Sequence, residues 1–353
     1  MRSTLPFLLS LTFALLPAVG HAADEDGKPQ ILATLPTVGA LLREVGGDAI
    51  EVSVLARGDE DPHFVQATPR LMRQARDADA LFEVGMRLEL WVDNVTGGAG
   101  NPRLQRGMPG RVVLSDGVPP LEVPTRIDAA QGDIHPQGNP HIWLDPVRAK
   151  LMARNAAAGL QKLFPEQAAL FAANLADFEG RLDRAFYGEA LLKTVGARKL
   201  DRAVLSGRLH DLLDREFKGK PLRALAGGWL KQAEPLAGRD LVEFHKVWAY
   251  FASAFGFTLV GTVEAYPGIR PGPGHLEKVV ALMKAKSVPL ILVDNFYLED
   301  LPRHVAGKAG AGFVMLPDQV GGEKDLETYF QLIDRILSHI LGALEAGKAA
   351  NTP

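Results

Sequence analysis

The sequence predicts an α/β protein of two lobes, each a parallel sheet flanked by helices, joined by a long linking helix. Short apolar runs rich in β-forming residues alternate with helical patterns in both halves of the chain, which is typical of parallel sheets covered by helices. A long, almost purely helical stretch separates the two halves. The length of 353 residues accommodates two domains of ordinary size. Because two lobes enclose a cleft, we expect a ligand to bind between them.

The first half of the chain contains four short strands and two helices before a loop. The predicted strands are 31–35, 52–55, 80–84 and 112–114, and the predicted helices are 38–45 and 69–78. Residues 122–139 are rich in Pro, Gly and Asp and interrupt this alternation. Such a composition is typical of an exposed loop.

Two consecutive helices follow this loop. Asp145 is a good N-cap and Pro146 suits the first helical position, so a helix is predicted from there to Leu163. Pro165 restarts a second helix, in which apolar residues recur mostly every three or four positions. We interpret residues 165–195 as the linking helix, residues 23–164 as the first lobe and residues 196–353 as the second lobe.

The second half returns to the alternation of strands and helices. Its predicted strands are 241–244, 258–263, 290–293 and 313–316, and its predicted helices are 247–255, 275–286 and 325–344. Residues 197–238 are less regular and are interpreted as an elaboration of the second lobe.

The N-terminal residues have the pattern of a secretory signal. Arg2 precedes the apolar stretch 5–19, and the small residues Gly20 and Ala22 occupy the positions that a signal peptidase reads. The apolar stretch is shorter than the roughly 20 residues that a membrane-spanning helix needs. We therefore predict a signal peptide over residues 1–22, cleaved after Ala22, and export of the protein, with an uncleaved anchor as the alternative.

Composition excludes several classes of function. The chain has no cysteine, which rules out disulfides, thiolate metal sites, a cysteine nucleophile and a lipid-modified N-terminal Cys, so we expect that the protein is not a lipoprotein. The net charge of -3 argues against nucleic-acid binding. Any transition-metal site must use carboxylates and the nine histidines.

Four of the potential metal ligands lie at strand ends or at a helix start. His63 and Asp318 occur in loops after predicted strands, His245 directly follows a strand, and His141 immediately precedes the helix that begins at Pro146. Ligands of open α/β sheets gather at the carboxyl ends of strands. Taken singly, however, each residue is also typical of an ordinary hydrogen-bonded loop position.

Three motifs together resemble one family. They are Pro-His-Phe at 62–64, Asn-Pro-His-Ile-Trp-Leu-Asp-Pro at 139–146, and His245 ahead of Trp-Ala-Tyr-Phe at 248–251. In this order they resemble the periplasmic solute-binding proteins of zinc and manganese ABC importers. The similarity runs from about Ile31 to Leu344.

This resemblance implies a set of metal ligands. It implies that His63, His141 and His245 bind the metal, together with an acidic residue from the last lobe. The family has Asp-Pro-Leu-Gly at that point, where this chain has Asp-Gln-Val-Gly at 318–321. The proline is missing, which weakens the match, but the carboxylate and the glycine are retained. We therefore expect Asp318 as the fourth ligand, with Glu264 as the reserve candidate.

The expected ligand set favours zinc as the cargo. Three imidazoles and one carboxylate suit four-coordinate Zn²⁺. Manganese-type members of the family have a carboxylate at the third position, so His245 there favours Zn²⁺ over Mn²⁺, without excluding nickel, cobalt or copper. Zinc-type members often carry a long His-rich loop before the second ligand. Here the loop is short and holds only His135 with Asp128 and Asp133, for which we favour a solvated position over a role in collecting metal.

The resemblance thus implies a monomeric, non-enzymatic protein that captures one divalent ion and delivers it to an ABC permease and its ATPase. A secreted zinc hydrolase with three histidines and a bound water is a competing interpretation. Against it, the sequence has neither a His-Glu-x-x-His helix nor a nucleophile elbow, since Ser206 lacks the preceding glycine pattern. Transport of manganese, iron or a metal chelate, and an adhesin-like role at the cell surface, also stay open.

Overall fold

The computed structural model describes residues 27–125, 135–264 and 268–350. The expected architecture is confirmed: within these ranges, two four-stranded parallel sheets are flanked by helices, one sheet in each half of the chain. The predicted signal peptide over residues 1–22 lies outside the described residues. In the described part of the chain, no helix combines the length and apolarity needed to cross a membrane.

The first lobe contains the sheet β2-β1-β3-β4, in which every neighbouring pair is parallel. Its strands are β1 (Gln30–Ala33), β2 (Glu51–Val54), β3 (Ala80–Glu83) and β4 (Arg111–Val113), and its helices are α1 (Pro36–Gly46), α2 (Pro69–Asp77) and α3 (Val92–Ala99). The sequence predicts all of these except α3. Helix α3 contains Gly97 and Gly98. Because glycine is a poor helix former, the sequence did not predict this helix.

The middle of the chain forms α4 (Pro146–Leu163), α5 (Ala168–Tyr187) and α6 (Glu189–Val195). The bounds of α4 agree with the prediction because the Asp145 carboxylate accepts hydrogen bonds from the first free backbone N–H groups of the helix. The predicted linking helix, residues 165–195, is instead divided. Gly188 has a φ of 76° and lies so close to the Gly227 backbone that a Cβ would approach it to 2.4 Å. This close approach ends α5, so the link consists of a 20-residue helix, α5, followed by the short helix α6.

The second lobe contains the sheet β10-β9-β7-β8, again parallel throughout. Its helices are α7 (Ala197–Leu205), α8 (Leu209–Leu213), α9 (Gly228–Gln232), α10 (Ala249–Phe255), α11 (Pro273–Ala285), α12 (Asp300–Ala309) and α13 (Tyr329–Ala350). Its strands are β5 (Glu216–Phe217), β6 (Lys220–Pro221), β7 (Asp240–Glu243), β8 (Thr258–Thr262), β9 (Leu290–Asp294) and β10 (Gly312–Leu316). Helix α13 begins four residues later than predicted, because Asp325 has a φ of 59° and cannot continue a helix.

The two principal sheets have the same topology. In each, the first strand of the sheet in chain order lies between the second strand and the third strand, and the fourth strand is at the edge. The loops that follow these strands carry the candidate ligands. A parallel sheet places all such loops at one edge, which is how residues distant in sequence come together.

The lobes share one apolar core. A single cluster of buried side chains runs from the first sheet through α4 and α5 to α10 and α13, and a smaller cluster lies within the second lobe. Buried hydrogen bonds also join the lobes: the Trp143 indole donates to the backbone oxygen of Asp318 at 2.6 Å, and the Tyr329 hydroxyl donates to the backbone oxygen of Trp143 at 2.8 Å. The relative position of the lobes is therefore fixed by packing as well as by the chain connection.

Substitution of Gly58 tests how much the close contact between the lobes contributes to stability. A Cβ at this position would lie 2.4 Å from the backbone oxygen of Val320 in the second lobe. We expect Gly58→Ala to reduce the free energy of unfolding by about 1–3 kcal/mol, as for other overpacked sites. Urea denaturation measures this, with Gly97→Ala as the control, because a Cβ there meets no atom within 4 Å. Equal stability of the two variants would contradict the expectation.

Candidate metal centre

Three histidines converge between the lobes. One ring nitrogen from each of His63, His141 and His245 lies within 4.8 Å of the others. The ring centroids are 5.4 Å apart for His63 and His141, 5.6 Å for His63 and His245, and 6.1 Å for His141 and His245. All three side chains are buried. The structure thus brings together the three histidines that the sequence singled out.

Each histidine is positioned by the end of a structural element. His63 lies in the loop between β2 and α2, and His245 lies two residues after the end of β7. His141 immediately precedes a 3₁₀ turn, Ile142–Leu144, that leads into α4. Two of the rings therefore come from the first lobe and one from the second, so the cluster exists only when the lobes are together.

The Nδ1 atom of every ring faces an oxygen acceptor. The pairs are His63 with Asp61 at 2.7 Å, His141 with Asn139 at 2.9 Å, and His245 with Glu264 at 2.7 Å. An oxygen acceptor requires the proton on Nδ1, so a neutral ring keeps its lone pair on Nε2. The Nε2 atom of His141 is buried and has no hydrogen-bond partner among the described residues. This is the arrangement of histidines ready to bind a metal through Nε2.

Two of these pairs come from short segments that share the same sequence pattern. In Asp61-Pro-His63 and Asn139-Pro-His141, the side-chain oxygen of the first residue accepts from both the backbone N–H and the ring Nδ1 of the histidine. Such local bonding is typical of Asp and Asn in turns. The repeated Asx-Pro-His pattern is therefore a sequence signal that could have revealed both supporting acceptors. Asp145, four residues after His141, accepts hydrogen bonds from the first backbone N–H groups of α4.

The surroundings of His141 favour its neutral form. Burial lowers the pKa of His141 well below its usual value, and the neighbouring histidines lower it further. Burial tends to raise the pKa of Asp61, but its hydrogen bond to His63 and the charge of that ring outweigh this effect, and the pKa is lowered. The imidazole of His141 is thus neutral and the carboxylate of Asp61 is ionised near pH 7, which are the states that metal binding requires.

Asp318 is a buried carboxylate without partners. It follows β10, has no exposed surface, and neither of its carboxylate oxygens has a hydrogen-bond partner in the described part of the structure. Burial, assisted by the charge of Asp61, raises the pKa of Asp318 to about 7. The carboxylate of Glu264, by contrast, is bonded to His245, to the Tyr297 hydroxyl at 3.0 Å and to the backbone N–H of Gly268 at 3.1 Å. Neither carboxylate joins the three histidines in the set of ligand atoms that lie within 4.8 Å of one another.

His135 lies at the cluster rather than in solvent. Its Nε2 is 3.2 Å from Nε2 of His63, and its Nδ1 is 3.2 Å from the backbone oxygen of Met86. The side chain is half-buried. The solvated position that the sequence favoured for this residue is therefore wrong, because its ring contacts His63 and the backbone of Met86.

The fold and the site together define a metal-binding protein of the solute-binding class, with two α/β lobes and an imidazole cluster between them. Comparison of the sequence with known families identifies it further. The chain matches the family described as ZnuA, "Zinc-uptake complex component A periplasmic", over residues 31–186 and 219–343. The match covers well over half of the chain, so the protein belongs to this family of metal-importer solute-binding proteins.

Individual relatives are distant and differ in the metal that they are named for. The chain is 24% identical over 280 residues to the zinc-binding lipoprotein AdcA of Streptococcus pneumoniae, covering 76% of this chain and 54% of AdcA. It is 23% identical to the manganese-binding lipoprotein MntA of Halalkalibacterium halodurans, covering 92% of both chains. It is 22% identical to the iron-binding protein YfeA of Yersinia pestis, covering 92% of this chain and 88% of YfeA. The chain thus spans about half the length of AdcA.

Solved structures confirm the fold. A crystal structure of ZnuA superposes with a TM-score of 0.65 at 22% identity, covering 90% of this chain and 99% of that one. A Mn-bound periplasmic metal-binding protein from Candidatus Liberibacter asiaticus superposes with a TM-score of 0.63 at 18% identity, covering 90% and 100%. At these identities the likeness extends to the fold alone.

The predicted localisation requires a correction. The expectation of a periplasmic protein that is not a lipoprotein is contradicted by AdcA and MntA, which are named lipoproteins. It rested on the absence of cysteine and on a leader that lies outside the described residues. Those features say nothing about how related proteins are kept near a membrane, and we withdraw this expectation.

The burial of Asp318 predicts a pH-dependent effect of its removal. A carboxyl group with a pKa raised to about 7 stabilises the fold at low pH and loses this contribution as the pH rises through that value. We therefore expect metal-free Asp318→Asn to be more stable than the unmodified protein by about 1–3 kcal/mol at pH 8. The difference should shrink towards pH 4. Urea denaturation in the presence of a chelator measures it, and a difference that does not vary with pH would contradict the assignment.

The contact between Asp61 and His63 predicts that substitution of Asp61 weakens metal binding even though no ligand is removed. We expect Asp61→Ala to weaken zinc binding roughly 10–100-fold, because the ring of His63 loses the acceptor that fixes its orientation and its proton. Asp59→Ala is the matched control, since this side chain is two residues away and 62% exposed. Competition with a chromophoric chelator measures both constants. Equal affinities of the two variants would show that Asp61 does not support the ligand.

Proposed function

We propose that the protein captures a single divalent transition metal ion, Zn²⁺, between its two lobes and delivers it to a membrane ABC permease for import. The observation that carries this proposal is the convergence of three buried imidazoles whose Nδ1 atoms all face oxygen acceptors. An ordinary structural role for histidine does not require three rings to be desolvated together and oriented in the same sense. A metal ion does.

The proposed ligands are Nε2 of His63, His141 and His245 and a carboxylate oxygen of Asp318. The fourth assignment is supported by the complete burial of Asp318 and by its lack of hydrogen-bond partners among the described residues. A buried, unpaired carboxylate is costly unless a cation accompanies it. Glu264 supports His245 in this proposal and does not bind the ion.

Zinc is favoured as the cargo by the donor set. Imidazole nitrogen suits Zn²⁺, whereas Mn²⁺ prefers carboxylate and carbonyl oxygen. The named relatives bind zinc, manganese or iron, so family membership alone does not decide between these ions. The majority of nitrogen donors is the property of this chain that favours zinc.

The proposed role is binding and not catalysis. Four protein donors fill a tetrahedral zinc site and leave no position for the activated water that a hydrolase needs. The family is one of transport proteins, which supports a permease and its ATPase as partners. These partners remain part of the proposal, because the chain covers only 54% of the length of AdcA.

The experiment is metal analysis of the purified protein, followed by competitive titration with Zn²⁺ and Mn²⁺. We expect one zinc ion per chain and zinc affinity at least tenfold higher than manganese affinity. His63→Ala, His141→Ala and His245→Ala should each reduce zinc affinity by at least 100-fold, since each removes a direct ligand. His304→Ala is the matched control, because this histidine is exposed on α12.

The outcomes separate the candidate roles. Unchanged zinc affinity in the three variants would refute the site. Tighter binding of Mn²⁺ than of Zn²⁺ would keep the site and change the cargo. Turnover of a peptide or ester by the zinc-loaded protein would instead support the hydrolase.

A further inference from the structure

The side chain of Asn139 contacts both lobes beside the metal centre. Its oxygen accepts hydrogen bonds from the backbone N–H and the ring Nδ1 of His141. Its nitrogen donates to the backbone oxygen of Lys246 in the second lobe and to the carboxylate of Glu122 in the first lobe, both at 2.9 Å. Lys246 directly follows His245 in the chain. One amide group therefore connects the ring of His141 to the backbone next to His245.

The rotation of this amide group is determined by its surroundings. Two nitrogen atoms of His141 face one end of the group, and the oxygens of Lys246 and Glu122 face the other end. Because a carboxamide accepts at one end and donates at the other, only one rotation satisfies all four contacts. Asn139 is 6% exposed, so little water competes for them.

A second hydrogen bond joins Asn139 to the second lobe. The Tyr250 hydroxyl, on α10, donates to the backbone oxygen of Asn139 at 2.6 Å and accepts from the backbone N–H of Leu121 at 2.9 Å. Tyr250 has no exposed surface, and the guanidinium carbon of Arg148 lies 4.9 Å from the centre of its ring. Asn139 is thus bonded to the second lobe through both its side chain and its backbone.

The equivalent residue of the other Asx-Pro-His segment is an aspartate. Asp61 accepts from the backbone N–H and the ring of His63 through one carboxylate oxygen, as Asn139 does for His141. A carboxylate has no N–H group to donate. An aspartate at position 139 could therefore support the ring but could not bond to the Lys246 carbonyl. The amide at this position has a use beyond fixing one ring.

We propose that Asn139 is a positioning residue that fixes His141 of the first lobe relative to His245 of the second lobe. This inference rests on the proposed function. The centroids of these two rings are 6.1 Å apart, the largest separation within the cluster. The bond from Asn139 to the backbone next to His245 limits this separation, so that both rings reach one ion. Asn139 itself does not bind the metal and leaves the four proposed donors unchanged.

Asn139→Asp tests this role because it keeps the acceptor for His141 and removes both donated hydrogen bonds. The new carboxylate also faces the carbonyl of Lys246, which repels it. We expect zinc affinity to fall about tenfold, as for other residues that orient metal ligands. The visible absorption of Co²⁺ bound in place of Zn²⁺ should also change, because it reports the arrangement of the ligands. A merely structural asparagine would lower stability and leave this spectrum unchanged.

Asn155→Asp is the matched control. The side chain of Asn155 also donates to two oxygens, those of the Leu114 and Asp116 backbones, both at 2.8 Å, but all three residues belong to the first lobe. We expect this variant to lose stability in thermal unfolding, to bind zinc like the unmodified protein and to keep the Co²⁺ spectrum. An equal loss of zinc affinity in Asn155→Asp and Asn139→Asp overturns the proposal.

Glu122→Gln separates repulsion within the first lobe from the bond between the lobes. Combined with Asn139→Asp, it removes the neighbouring charge but does not restore the bond to Lys246. We expect the double variant to bind zinc about tenfold more weakly than Glu122→Gln alone. Equal affinities of these two proteins overturn the proposal, since the loss in Asn139→Asp would then come from charge repulsion within one lobe.

Tyr250→Phe gives an independent test that leaves the side chain of Asn139 intact. It removes the second bond between Asn139 and the second lobe and keeps the aromatic ring beside Arg148. We expect zinc affinity to fall about threefold, as for the loss of one hydrogen bond. Chelator competition measures the constants of all variants. Unchanged affinity in both Tyr250→Phe and Asn139→Asp overturns this inference alone, whereas failure of the unmodified protein to bind zinc refutes the proposed function and the inference with it.

Discussion

The contact between an imidazole Nδ1 and an oxygen acceptor, made three times, is the interaction on which the centre depends. Each contact fixes the tautomer and the rotation of one ring, so that Nε2 carries the lone pair. Two acceptors are local, because Asp61 and Asn139 each lie two residues before their histidine. The third, Glu264, comes from the neighbouring strand end. The rings are therefore positioned before any ion arrives, and little order remains to be created on binding.

The same burial that keeps His141 neutral disfavours the ionised form of Asp318. His141 loses its tendency to take up a proton, while the Asp318 carboxyl is held where ionisation is unfavourable, and its pKa is raised. Both effects have one cause, the removal of water from the space between the lobes. Without a cation, the buried carboxylate lowers the stability of the folded protein. The same carboxylate would increase the affinity for a metal ion, so stability and function are in conflict at this site. The large shared core around it compensates for that loss.

Most of the architecture could be predicted because it follows from local patterns. The bounds of α4 were correct because Asp145 and Pro146 mark a helix start unambiguously, and the eight strands of the two principal sheets were found from their apolar runs. The division of the linking helix depends on the approach of Gly188 to Gly227, which no local pattern reveals. The position of His135 was predicted wrongly for a similar reason, since its contacts are with His63 and Met86, far away in sequence.

The continuous core has a consequence for the order of folding. Helix α13 is the last helix of the described chain, yet its apolar residues, from Leu332 to Leu344, belong to the same cluster as those of β1 and α1. The Tyr329 hydroxyl at its start also bonds to Trp143. The first lobe, which is made first during synthesis, therefore lacks part of its interior until α13 has been translated. Transiently exposed apolar surface of this kind is prone to aggregation.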